Sequence, residues 1–148
     1  MTGLRDGFGR FTPLDAKGQP SGPPVEVECK NMKVNYGAAP CPFCQIAQGA
    51  TDTKILRDWG DTIVFTPLNP VTEGHVLVVP REHFQDFSHS PHISAVTMNR
   101  AAEYADTLLE DVNLIVSRGA AATQTVKHVH MHLVPRRAGD GLSLPWTD

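Results

Sequence analysis

Three imidazoles recur at every second position in Lys127-His128-Val129-His130-Met131-His132-Leu133-Val134-Pro135. Read as a strand, this stretch puts His128, His130 and His132 on one face and Val129, Met131 and Leu133 on the other. Neutral imidazole is a good nucleophile near pH 7 when an acceptor holds its second nitrogen protonated. Such a face can attack phosphorus while neighbouring imidazolium, hydroxyl and backbone N–H groups stabilise charge on the phosphoryl oxygens. Gly119, Thr123, Gln124 and Thr125 lie just upstream as candidate donors for a phosphate loop. The plainer alternative is a solvated strand face or an adventitious metal patch. The clustering of the imidazoles with these donors favours the reactive reading.

A second constellation is Cys41-Pro42-Phe43-Cys44. Its C-x2-C spacing is half of a structural zinc site and requires two further ligands from elsewhere. The chain holds seven histidines, of which His83 follows a strand end where a ligand can turn toward the cysteines. Zinc there would staple a short helix to the sheet and add folding free energy. A rival reading is redox chemistry, because Cys-Pro-aromatic-Cys resembles the redox pair of glutaredoxins, activated at a helix N-terminus. That fold continues with a helix and a βαβ order, whereas here a hairpin follows. Unligated structural thiols are the third possibility. Cys29 reads as packing in or beside an N-terminal strand, and Trp59 and Trp146 read as core or interface anchors. Asp61, Glu73 and Glu82 read as solvated turn residues, with no close carboxylate pair for acid–base work.

The elements that must position these groups begin near Cys41. Pro42 suits the first turn of a short helix ended by Gly49. Ile55–Trp59 and Thr62–Thr66 read as a hairpin around Gly60-Asp61. His75 to Pro80 reads as a buried strand. Ser90-Pro91 offers an N-cap and an N1 proline for a helix from about His92 to Glu110, with an apolar stripe at Ile93, Val96, Ala101, Tyr104, Ala105, Leu108 and Val112. Asn113–Ser117 is a fourth strand and the histidine run a fifth. The domain thus reads as five strands, one long helix and one short one. Residues 3–24 are rich in Gly and Pro and show no period, so a flexible or loosely packed tail is expected. Val25–Glu28 alternates like a strand, an extra N-terminal edge strand running toward Val34. The boundary between a 1–40 extension and a 41–148 domain is placed close to Pro40.

The chain's 148 residues suit one domain with a modest core. A net charge of -3 gives no general footprint for nucleic acid or an acidic membrane, so any anion must be held locally. No segment is long and apolar enough for a secretory signal or a bilayer span. With an odd count of three cysteines, this leads to an expected cytoplasmic location.

His128-Val129-His130-Met131-His132-Leu133-Val134 resembles the signature of the histidine triad (HIT) superfamily. Cys41 to Gly49 resembles the zinc-bearing entry of many members, and Asn69 to His83 their Gly-His strand and following histidine. The resemblance runs from about Cys41 to the C-terminus. It implies an α+β fold with a five-stranded antiparallel sheet, usually in a two-fold homodimer, and action on nucleotides or nucleotide conjugates at the α-phosphate. By position it implies His130 as the nucleophile forming a nucleotidyl-histidine intermediate, with His132 at the phosphate and leaving group. Gln124 and Thr125 would line the phosphate loop, and Cys41, Cys44, His83 and His128 would hold structural zinc. The chain departs from the family pattern at Pro67, where many members carry an acidic residue for the ribose, at Ser117, where they carry Asn, and at Thr123, usually Gly. Ser117 then stands in the substrate site, and Asn69 is the candidate replacement for the ribose contact. The implied function is a nucleotide hydrolase or nucleotidyl transferase on phosphoramidate or dinucleoside polyphosphate substrates. The alternative is a nucleotide-binding or interaction module of the same fold with little catalysis.

Overall fold

The computed structural model describes residues 3–5, 10–13, 17, 25–26 and 41–146. The chain divides into two compact units, Met1–Asn35 and Tyr36–Asp148. In the first, β1 (Gly3–Arg5), β2 (Arg10–Pro13) and β3 (Val25–Glu26) form an antiparallel sheet in that order. Two strands thus lie in the stretch expected to be a tail. At three and four residues they are too short for an alternating pattern to register. Val25–Glu26 pairs with Arg10 and Phe11 in this sheet and does not extend the five-stranded one. The expected continuation toward Val34, and Cys29, lie outside the described residues.

The second unit follows the expected architecture. In chain order it contains α1 (Pro42–Ala47), β4 (Ile55–Asp58), β5 (Thr62–Phe65), β6 (Val76–Pro80), α2 (Pro91–Ala105), β7 (Asp111–Val116) and β8 (Met131–Arg136). The strands form one sheet in the order β4-β5-β6-β8-β7, antiparallel throughout. Neither helix is long and apolar enough to cross a membrane.

The two faces of this sheet are covered by different helices. Ile63, Phe65, Leu77 and Val79 pack with Phe43 and Ala47 of α1. Val64, Val76, Val78, Met131 and Leu133 pack with Ala101 of α2, with Trp59, Tyr104, Val112 and Leu114 around them. Because β5 and β6 are buried on both faces, they read as continuous apolar runs and not as alternation. Each fully buried large side chain contributes about 1.5–3 kcal/mol relative to exposure. Trp59 is a core anchor as expected, whereas Trp146 is 78% exposed.

The long helix begins as expected, with Ser90 Oγ accepting from the Ile93 N–H at 3.3 Å and Pro91 at the first position. It ends at Ala105, five residues before the expected Glu110. The N–H groups of Thr107 and Leu108 bond carbonyls three residues back, at Tyr104 and Ala105, which tightens the last turn and stops it. Val112 continues the apolar stripe in sequence because β7 buries it against the same core. That continuity makes helix and strand look like one element.

Candidate functional site

β8 begins only at Met131, so His128, Val129 and His130 precede the ladder instead of belonging to it. β6 ends at Pro80, and the Val129 N–H bonds the Phe84 carbonyl at 2.9 Å in the segment that follows. The imidazoles nevertheless form a row on the α1 side. Phe43 stands edge-on to His128 and His130, with centroids 5.9 and 5.1 Å away, and His130 and His132 are 5.1 Å apart. Val129 is as buried as the histidines beside it, which removes the solvated-face reading.

At one end of the row four donors converge. The side-chain ligand atoms of Cys41, Cys44, His83 and His128 all lie within 4.8 Å of one another. Cys44 Sγ is 3.2 Å from His83 Nδ1 and 3.5 Å from His128 Nδ1; the two Nδ1 atoms are 3.1 Å apart. These separations match the edges of a tetrahedron with metal–sulfur bonds of about 2.3 Å and metal–nitrogen bonds of about 2.0 Å. His128 Nε2 faces the Pro80 carbonyl at 2.8 Å, and a carbonyl only accepts, so Nε2 carries the proton and Nδ1 presents its lone pair. Burial holds His128 neutral, with its pKa pushed down to about 4. Burial, with the Cys41 thiol beside it, pushes the Cys44 thiol up to about 12, so a thiolate here needs a cation. The group fits a metal.

The next imidazole is set by the same backbone. His130 Nδ1 donates to the His128 carbonyl at 2.7 Å, which leaves Nε2 with its lone pair. Burial lowers the His130 pKa, opposed by that hydrogen bond, so the ring is neutral near pH 7. His132 lies in the ladder opposite Leu77, and its Nδ1 is 3.0 Å from His75 Nε2. The Val71 N–H occupies His75 Nδ1 at 3.1 Å, so neutral His75 donates through Nε2 and His132 keeps its proton on Nε2. Burial lowers both pKa values, that of His132 to about 4 with the charges of His130 and His75 contributing. Three backbone groups thereby fix the proton positions of the whole row.

His75 was not singled out by sequence reasoning. Its signal was available in the period of two, since His75 shares a strand face with Leu77, which the register places against His132.

A pocket of about 280 Å³ opens beyond His132, with His75, Ser117, Thr123 and Arg136 in its lining. Ser117, expected in the substrate site, is in this lining. Asn69 and Thr125 are exposed and do not line this pocket. Gln124 is buried and turned inward: its Oε1 accepts from Gly119 N–H at 2.8 Å, and its Nε2 donates to the carbonyls of Gln85 and Val126. It braces the 119–126 loop, and Thr123 takes the left-handed φ of 66° at the end of the 3₁₀ turn Ala120–Ala122.

The profile of the HIT domain matches residues 48–139. The chain belongs to the HIT family. Among its relatives is an uncharacterised HIT-like protein of Methanocaldococcus jannaschii, 31% identical over 68% of this chain and 82% of that one. An adenylylsulfatase of Arabidopsis thaliana is 31% identical over 69% of this chain and 55% of its own length. Among solved structures, a zinc-bound histidine triad family protein from Mycobacterium smegmatis superposes with a TM-score of 0.64 at 32% identity, covering 73% of this chain and 83% of the other. The matched residues contain the five-stranded sheet and the imidazole row, and His83 and His128 within them meet Cys41 and Cys44, just before them, in a group able to hold a metal. The family includes nucleotide-processing hydrolases.

Proposed function

We propose that this HIT protein hydrolyses or transfers nucleotidyl groups at the α-phosphate of nucleotide conjugates through a nucleotidyl-histidine intermediate on His130. The observation that carries the reading is the 2.7 Å bond from His130 Nδ1 to the His128 carbonyl, which leaves Nε2 unprotonated on a ring 5.1 Å from that of His132. Attack forms the His130 Nε2–phosphorus bond, and the leaving atom departs with its bonding electrons and takes a proton from solvent. Water then attacks phosphorus and gives a proton to solvent, the bond to His130 breaks with its electrons returning to Nε2, and a nucleoside monophosphate is released. The His132 Nε2–H donates to the phosphoryl oxygens or the leaving atom as charge develops. Ser117 and Thr123 add hydroxyl donors, and Gln124 holds the loop. The adenylylsulfatase relative supports hydrolysis at an α-phosphate.

Cys41, Cys44, His83 and His128 would hold zinc, which would supply charge for the thiolates and no step of the reaction. The tetrahedral edges and the zinc-bound relative support this over a redox pair. The reading includes a homodimer in the cytoplasm, with residues 1–40 as an extension outside the HIT domain.

The test is His130→Ala in folded protein, assayed on nucleoside phosphoramidates and dinucleoside polyphosphates. Loss of turnover by several orders of magnitude is expected, and unchanged turnover refutes the reading. A second reading, a nucleotide-binding module with little catalysis, is favoured by the inward-turned Gln124 and by Asn69 and Thr125 lying outside the pocket. Calorimetry detecting nucleoside monophosphate binding without turnover of a broad panel selects it.

A further inference from the structure

The pocket beyond His132 has a wall of unusual construction. Arg136 donates from Nε and Nη2 to Asp140 at 2.8 and 3.0 Å, from Nη1 to Asn113 Oδ1 at 2.7 Å, and from Nη2 to the Leu142 carbonyl at 2.6 Å. Asp140 in turn accepts from the backbone N–H groups of Arg137 and Leu142. This clamp folds the chain back so that Leu142, Ser143 and Leu144 line the pocket together with Val134 and Ile115. It also cancels the charge of Arg136 in the lining, because Asp140 takes two of the three guanidinium nitrogens. What remains is aliphatic, rimmed by hydroxyls.

We infer that this pocket takes the leaving group of the substrate, that it suits an uncharged leaving group with an aliphatic body, and that Leu142 and Leu144 set how much of that body it accepts. The inference rests on the reaction proposed above. In-line displacement places the leaving group on the far side of phosphorus from His130 Nε2, and the group next along the row is His132, whose Nε2 proton is directed away from His75. A nucleoside fits the lining less well. Asp140, which bonds the lining's Arg136, is committed to it, and among the described residues the lining offers no aromatic ring other than imidazole for a base to stack on. A polyphosphate fits worse still, since the guanidinium is already neutralised.

The experiment compares kcat/KM for nucleoside 5'-phosphoramidates of ammonia, hexylamine and β-alanine, with a dinucleoside tetraphosphate alongside. Methylenes buried against the leucines leave water, so the hexylamide is expected to exceed the ammonia and β-alanine compounds by at least about tenfold. Leu144→Glu should erase or invert that preference, and Asp140→Asn, outside the lining, should lower it by loosening the wall. Equal rates across the series, unaltered by Leu144→Glu, would overturn the pocket assignment while leaving the reaction intact. A preference for the tetraphosphate would likewise overturn it. Absence of turnover on every compound overturns the reaction itself, and the inference with it.

Discussion

His75 Nε2 stands 3.0 Å from His132 Nδ1, joining the residue that leads into β6 to β8 through two imidazoles on the α1 face of the sheet. The direction of this bond follows from the Val71 N–H, which takes the other nitrogen of His75. Its consequence is that His132 presents an N–H, and not a lone pair, toward the pocket. His75→Leu removes the donor that sets this tautomer. A drop in kcat of about 10- to 100-fold is expected, corresponding to one positioned hydrogen bond, with KM changed much less. Steady-state kinetics on a phosphoramidate, with melting curves to show that the variant is folded, check it.

The acid limb of the reaction should lie lower than free histidine predicts. Attack requires neutral His130, and burial depresses its pKa below 6.5 in spite of the bond to the His128 carbonyl. Activity should therefore hold as pH falls through 6.5 and decline only below it. Single-turnover formation of the covalent intermediate across pH 4–8 measures this directly. An inflection at or above 6.5 would contradict the burial of the ring.

How much of this was legible in the sequence depends on the range of the interaction. Short-range chemistry was readable: the Ser90-Pro91 start, the Gly60-Asp61 hairpin and the C-x2-C pair all express local rules. The helix end at Ala105 was hidden because Val112 buries into the same core as α2. The early part of the histidine run was misread as ladder because alternation in sequence does not say where pairing stops, and both ladders of β8 end at Met131, opposite Val78 and Val116. Gln124 illustrates a further limit. An amide beside two hydroxyls reads as a ligand donor, yet one of its partners, Gln85 O, comes from a segment 39 residues away.

Gln124→Ala should therefore act mainly on the loop. It leaves the Gly119 N–H and the Gln85 and Val126 carbonyls without their buried partner, a cost of about 1–3 kcal/mol. Denaturant unfolding should show that loss. Turnover should fall with KM rising, because Thr123 and Ser117 are held by the loop the amide braces.

Metal removal should destabilise the α1 side of the domain. Chelation leaves Cys41, Cys44, His83 and His128 crowded without a cation, and Phe43, which lies between the cysteines in sequence, packs on both His128 and His130. A lower Tm is expected, together with about one zinc per chain in replete protein and its loss in Cys44→Ser. In the metal-free form His128 adds a pH dependence. Its folded pKa of about 4 lies below the unfolded 6.5, so the unfolded state binds more protons between the two values, and stability falls as pH drops through that window. The limit is roughly 3 kcal/mol, fully present above pH 6.5 and lost by pH 4. Urea titrations of the stripped protein at both pH values test the sign.

Gly74 connects backbone conformation to this chemistry. Its φ of +82° is one that L side chains rarely adopt, and a Cβ there would meet Pro135 Cγ at 3.1 Å. Pro135 itself is tolerated in a central strand because the β6 pairing reaches only as far as Val76 and Leu133. The glycine thus turns the chain past the proline ring and delivers His75, the next residue, to His132. Gly74→Ala must strain the backbone, at about 1–2 kcal/mol, and displace either the turn or the ring. Shifting the turn moves His75 away from His132. Turnover should therefore fall further than the stability loss alone explains, toward the value of His75→Leu, and the double variant should be no worse than His75→Leu in kcat. Independent, additive losses in kcat would show that Gly74 serves packing alone.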